Sequence, residues 1–208
     1  MQKKFNSKQI HILNIAEELI AKNGFKDTSV REISSKAKVN VAMISYYFGS
    51  KEKMMNALYE YRVQRSKQKF SEFTQTIING RPDMQLKEII NFIVSEILKY
   101  KHFHGFVTQE MQHSESTREL LTDFYLVSTE IIQKIIAKGI SIGIFKKAAK
   151  AEDLISTIIG TLLFTIRNKA FYAKFLNCST DELPFNIEDK VKTHLQQCTF
   201  SLLGYDGH

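Results

Sequence analysis

Apolar residues in this chain recur every three or four positions and nowhere alternate over the length of a strand. That spacing builds one-sided helices and argues against a sheet, whose faces repeat every second residue. Only two prolines, Pro82 and Pro184, interrupt 208 residues, and both fall between periodic segments. The expected fold class is all-α. A chain this long can bury roughly 70% of its unfolded surface and needs no cross-links to fold. Its two cysteines, Cys178 and Cys198, suit a reducing compartment and inert packing. A content of 43% hydrophobic and 25% charged residues excludes a disordered chain. The longest uncharged stretch, Leu154–Ile166, has 13 residues and is too short to span a bilayer. Residues Met1–Ser7 lead into mixed polar and apolar sequence, not an export signal, so a cytoplasmic protein away from membranes is expected.

Local signals divide the chain. Asn6-x-x-Gln9 reads as a capping box that opens a first helix with the apolar face Ile12, Ile15, Ala16, Leu19 and Ile20, closed by Asn23-Gly24. Ser29-x-x-Glu32 opens a short second helix through Ile33 and Ala37. Three residues, Lys38-Val39-Asn40, separate it from a third, Val41 to Tyr47. Ser50 can cap a long fourth helix from Lys51 to Ile78. Further amphipathic segments are predicted at 83–100, 103–112, 115–138, 151–174 and 186–203, nine helices in all.

Two short helices joined by a three-residue turn have the dimensions of a helix-turn-helix, about residues 29–48. Ile33, Ala37, Val39, Ile44 and Phe48 have the spacing of its internal core, leaving Arg31, Val41, Ala42, Ser45 and Tyr46 to face outward. Ala42 is small enough for close backbone approach to a duplex. Tyr46 and Tyr47 carry hydroxyls suited to phosphates, and Lys51 adds charge at a helix start. Net charge agrees. The chain carries a formal +7, and residues 1–53 alone hold ten Lys/Arg against five Asp/Glu. An acidic partner for the N-terminal quarter follows from that asymmetry.

The run Gly24-Phe25-x-x-Thr28-Ser29-Val30-Arg31-Glu32-Ile33-Ser34, continued by Ala37-x-Val39-Asn40-Val41-Ala42-x-Ile44-Ser45-Tyr46-Tyr47-Phe48-Gly49-Ser50-Lys51-Glu52, resembles the DNA-binding domain of the TetR family of transcriptional regulators. The resemblance covers residues 6–66 and assigns 67–208 to ligand binding and dimerisation. It implies that Arg31 reads a base, that Val41, Ala42, Ser45 and Tyr46 form the recognition face, and that Tyr47 and Lys51 meet phosphates. Thr28, Ser29 and Asn40 complete the implied DNA-facing set. Two positions depart from the family pattern: Val41 stands where Lys or another polar residue is common, and Ser45 where Tyr is usual. The operator therefore does not transfer from any relative.

Beyond residue 66 the resemblance is architectural. Gly139-x-x-x-Gly143-x-Phe145, followed by Glu152-Asp153-Leu154, looks like the family's junction between its seventh and eighth helices. A membrane GxxxG reading fails because Lys138, Lys146 and Lys147 surround it. The resemblance implies a homodimer through the last two helices, with Leu154, Ile158, Leu162, Val191, Leu195 and Leu202 at the interface, although burial within one chain would give the same stripes. It also implies an effector cavity, for which Phe92, Glu96, Phe106, Glu110, Phe124, Tyr125 and Phe164 are candidates. The two glutamates stand out because a carboxylate on an apolar face needs a partner or a ligand cation. The effector expected is an apolar or amphipathic small molecule.

The partners expected are a palindromic double-stranded operator, a second copy of the chain and that effector. Cofactors and metals are not expected: His102, His104 and His113 match no closed zinc spacing. An enzyme is disfavoured, since the sequence has no GxSxG, glycine-rich phosphate loop, HExxH or paired-cysteine site. A repressor released by its effector is the leading expectation. An activator or an unswitched regulator stays open at this point, with a helical-pocket enzyme more remote.

Overall fold

The computed structural model describes residues 4–101, 104, 115–177, 179 and 183–207. Nine helices lie among them: α1 Ser7–Asn23, α2 Val30–Ala37, α3 Val41–Phe48, α4 Lys51–Thr76, α5 Pro82–Lys99, α6 Glu115–Ser141, α7 Ala151–Arg167, α8 Lys169–Phe175 and α9 Leu183–Leu203. The expected helix at 103–112 lies outside the described residues. Two compact units divide the chain, one made of residues up to Lys69 with 115–121, the other of 70–101, 104 and 122–207.

In the first unit the caps read from sequence are formed. Asn6 Oδ1 accepts from Gln9 N at 2.9 Å while Asn6 N donates to Gln9 Oε1 at 3.0 Å. The stripe Ile12, Leu13, Ala16, Leu19 and Ile20 is buried, as are Ile33, Ala37, Ile44, Phe48, Met54 and Leu58 on the next three helices. Arg62 of α4 reaches α1, with Nε 2.7 Å from Glu17 Oε2, Nη2 closer still to that oxygen, and Nη2 also 3.0 Å from Asn14 Oδ1. Both charged side chains are largely buried, and a mutually satisfied pair fixes the α1–α4 register where a lone charge would destabilise it.

The second unit is held by α5, which packs on α7 and α9. Ile90, Val94 and Ile97 of α5 share one core with Ile158 and Leu162 of α7 and Ile187, Val191 and Leu195 of α9. Two polar bridges set the α5–α9 register: Ser95 Oγ to Glu188 Oε1 at 2.6 Å, and Gln196 Nε2 to Asn91 Oδ1 at 2.7 Å. Each proline sits in the first turn of a helix, where its missing N–H leaves no bond unmade.

A second core, including Phe70, Leu86, Ile132, Ile136, Phe145 and Leu154, lies under the α6–α7 junction. Gly143 adopts φ +76°, and Ile144 N and Phe145 N both donate to Gly139 O, at 2.9 and 3.1 Å. This turn folds the Phe145 ring back onto Gly139, so closely that a Cβ on residue 139 would lie 2.2 Å from the ring. The two glycines therefore serve different ends, one backbone conformation and one close approach. The segment after α9 closes over the same junction: Lys146 N and Lys147 N donate to Leu203 O, and Tyr205 Oη donates to the buried Asp83 carboxylate at 2.8 Å.

The single helix predicted at 151–174 is two. Asn168 leaves helical geometry at φ −113°, ψ 45°, and its backbone N and side-chain Nδ2 both donate to Phe164 O, at 3.0 and 2.9 Å. An asparagine that satisfies the end of one helix offers the chain a stop, and α8 leaves at 88° to α7. No single helix among the described residues is long and apolar enough to cross a membrane.

Candidate nucleic-acid interface

The turn between α2 and α3 is fixed by backbone geometry. Lys38 occupies the left-handed region (φ 54°, ψ 43°), its N–H and that of Val39 returning to carbonyls of the last turn of α2. Asn40 caps α3, accepting from Ala42 N at 2.8 Å through Oδ1, and Ser29 caps α2, accepting from Glu32 N at 3.1 Å. Gly49, at φ +82°, ends α3, and Ser50 Oγ accepts from Lys53 N at 3.2 Å to begin α4. A ring nitrogen of His11 on α1 lies 3.1 Å from Ala37 O and braces the end of α2.

On that frame α3 has one locked face and one open face. Ile44 and Phe48 are buried, whereas Val41, Ala42 and Ser45 are exposed and Tyr46 is 83% exposed. Tyr47 is half-buried, its ring edge-on between those of Tyr46 and Phe48 at 5.3 and 6.2 Å. Arg31, one helix earlier, is exposed, and its backbone carbonyl accepts from Ser34 Oγ at 2.9 Å. These side chains offer a guanidinium, phenol and hydroxyl donors, and small apolar contacts from one outward ridge.

Two expected DNA-facing residues are placed otherwise. Thr28 is only 1% exposed, and its hydroxyl donates to Gly24 O at 2.8 Å, which closes the loop between α1 and α2. A side chain so enclosed cannot touch a phosphate without the loop opening. Lys51 donates to Phe25 O and sits 4.2 Å from the Phe25 ring centroid, so its ammonium pins that loop to the start of α4. Spacing reported a cation at a helix start; it could not report that a carbonyl and a ring would already hold it.

The expected effector residues do not form one set. Phe92 stacks on Phe73 at 4.4 Å, Phe70 links it to Phe124, and Phe124 stacks on Tyr125 at 6.3 Å, so these aromatics form one cluster with Glu96 a turn beyond Phe92 on a partly buried stretch. Burial pushes the Tyr125 phenol above its ordinary pKa. Phe164 is a correction. It is 52% exposed, edge-on to Phe171 and Tyr172, because the break at Asn168 turns α8 back beside it. Phe106 and Glu110 lie outside the described residues.

The expected dimer residues need the same correction. Leu154, Ile158, Leu162, Val191 and Leu195 are buried in the chain's own cores and have no surface left for a partner. Of that set only Leu202 is open, at 50%. The outward face of α7 instead carries Ser156, Thr157, Gly160 and Phe164, beside Thr193, His194, Gln197 and Ser201 on α9. Gly160 has nothing within 4 Å of where a Cβ would stand, so no contact among the described residues demands a glycine there.

Comparison with known proteins matches this geometry. Residues 12–58 match the family described as bacterial regulatory proteins, tetR family, and residues 82–184 match the tetracyclin repressor-like C-terminal domain. The chain is 34% identical over 133 residues to a Bacillus subtilis protein named "Probable HTH-type transcriptional regulator YttP", covering 62% of each. It is 29% identical over 137 residues to the HTH-type transcriptional repressor NicS of Pseudomonas putida, covering 62% of this chain and 64% of that one. These alignments therefore span somewhat less than two thirds of either relative. Among solved structures, the transcriptional regulator FadR from Bacillus subtilis in complex with stearoyl-CoA shares the fold, with a TM-score of 0.59 at 20% identity over 88% of this chain and 96% of that one. With both of its halves matched, an N-terminal helix-turn-helix and a C-terminal helical domain, the chain belongs to the tetR family of bacterial regulatory proteins.

Proposed function

We propose that this protein is a cytoplasmic, homodimeric transcriptional repressor that holds a palindromic operator and releases it on binding a small apolar or amphipathic molecule. The observation that carries the DNA reading is α3: Ile44 and Phe48 anchor it while Tyr46, Ser45, Ala42 and Val41 are exposed, as is Arg31 on α2. A helix fixed on one side and open on the other suits the major groove, where Arg31 would take a guanine edge and Val41 a thymine methyl. Ser29, Asn40 and Tyr47 fall at the margins of that ridge and would meet the backbone. The boundary at residues 66–67 is part of this reading, with 6–66 as the DNA-binding segment and 67–208 the regulatory one.

Support for twofold pairing comes from the face shared by α7 and α9, whose small residues are exposed and where Phe164 is 52% exposed. For the effector, support comes from the Phe92–Phe124–Tyr125 cluster with Glu96 nearby, and from the stearoyl-CoA bound by the structurally similar FadR. Release then requires the ligand to favour a dimer whose recognition helices no longer match successive grooves.

Selection of bound duplexes from random DNA tests this reading. The expected product is an inverted repeat with half-sites about 10–10.5 base pairs apart or a multiple of that. Adding long-chain acyl compounds to the complex should then lower its affinity. Recovery of no preferred duplex would refute the DNA reading, and retention of the operator against every acyl compound would refute a long-chain acyl effector.

A further inference from the structure

We propose that His194 and Cys198 form half of a divalent transition-metal site of the zinc type, completed by the same pair from a second copy of the chain. The two residues are one turn apart on α9. Sγ of Cys198 lies 3.7 Å from Nε2 and 3.9 Å from Nδ1 of His194. Zinc takes thiolate sulfur at about 2.3 Å and imidazole nitrogen at about 2.0–2.1 Å, and a tetrahedral angle between those bonds separates the two donors by about 3.6 Å. The observed spacing is therefore already the bite of a chelate. A turn of the imidazole about its own axis aims one nitrogen at the shared position.

Both side chains lie where an ion can reach them: His194 is exposed and Cys198 half-buried. Lys190, one turn earlier, stands 5.1 Å from the Phe175 ring centroid and is drawn towards that ring. No group of three metal-binding side chains occurs among the described residues, which offer two ligands at this place. His194 lines a shallow cavity with Thr161 of α7 and Phe171 and Phe175 of α8, and Gly160, next to Thr161, leaves room for close approach. A twofold axis passing there would bring two thiolates and two imidazoles around one ion. Binding one M²⁺ would release the two thiol protons to water, and the two thiolates would neutralise the ion.

This inference rests on the homodimer proposed above, so the test measures assembly and metal separately. The full chain, stripped by a chelator and kept in a phosphine reductant, is titrated with Co²⁺ while absorption and sedimentation are followed. The expected result is the tetrahedral cobalt–thiolate spectrum, saturating at one metal per two chains. The spectrum should be lost in Cys198→Ser, weakened in His194→Gln and kept in Cys178→Ser. A metal-free dimer that gives no such spectrum overturns the metal site and leaves the dimer standing. A spectrum that survives Cys198→Ser, or that saturates at one metal per chain, overturns the shared site. A chain that stays monomeric with and without Co²⁺ overturns the dimer, and the shared site with it.

Discussion

Gly139→Ala pits two effects of opposite sign against each other. Residue 139 lies inside α6, where alanine is preferred over glycine by about 1 kcal/mol, so propensity alone makes the substitution stabilising. The new Cβ would stand 2.2 Å from Cδ2 and 2.3 Å from Cε2 of Phe145. Relieving that overlap needs a shift of more than about 1 Å to reach ordinary carbon–carbon contact. The ring has little freedom to move, being 2% exposed, edge-on to Tyr205 and surrounded by core residues. Overpacking of this kind costs about 1–3 kcal/mol, and two ring atoms in the way place this case at the upper end. The expected net loss is about 1–2 kcal/mol. Urea unfolding followed by far-ultraviolet circular dichroism should show a lower midpoint at unchanged slope. In a Phe145→Ala background the obstacle is gone, and Gly139→Ala should there raise the midpoint. A raised midpoint with Phe145 intact would refute the claim that the ring is held against the glycine.

Other perturbations separate anchoring from recognition. Ile44→Ala empties a buried site and should cost about 2–5 kcal/mol of stability, whereas Tyr46→Ala should leave stability within about 0.5 kcal/mol yet weaken operator binding, as parallel unfolding and fluorescence-anisotropy titrations would show. Arg31→Ala should cost about 1–3 kcal/mol of binding and relax preference at one base position, and unchanged discrimination in a selection assay would remove its assigned role. Asp83 supplies a pH dependence. Burial alone would raise its pKa, but hydrogen bonds from Tyr205 and Arg81, the charge of Arg81 and a backbone hydrogen bond outweigh it and hold the carboxyl below its ordinary value. Its contribution is therefore fully present above the unfolded pKa of about 3.9 and is lost as pH falls through the lower folded value. Tyr205→Phe should shrink that acid-side loss, and an unchanged acid limb of the stability profile would count against the link.

What could be read from sequence was local. The Asn6–Gln9 box, the Ser29 and Asn40 caps and the buried Ile33, Ala37, Ile44 and Phe48 depend on residues within a few positions of each other, and all are formed. Periodicity tells which stripe of a helix is apolar but not what covers it. Leu154, Ile158 and Val191 are therefore equally suited by pattern to a partner or to their own core, and only the packing of α5 on α7 and α9 decides for the core. Periodicity does not reveal the break at Asn168, because Lys169–Phe175 continues in helix-compatible residues; its signal is a side-chain amide able to cap the preceding turn. Thr28 and Lys51 share one reason for their placement. Both bond to carbonyls of the Gly24–Phe25 loop, a long-range arrangement for Lys51 that no spacing rule encodes. His194 and Cys198 form a two-donor spacing that matches no closed zinc signature in the sequence, and only the helix turn brings them together.

The residues after α9 have a further consequence. Gly204–Asp206 connects α5 through Asp83 and the α6–α7 turn through Lys146, so removing it means first unfastening that body of the molecule. An exopeptidase working inwards from the C-terminal side should stall there, its progress past Asp206 gated by how often the clasp springs open. The rate of that trimming becomes a clock for rare excursions of the second unit.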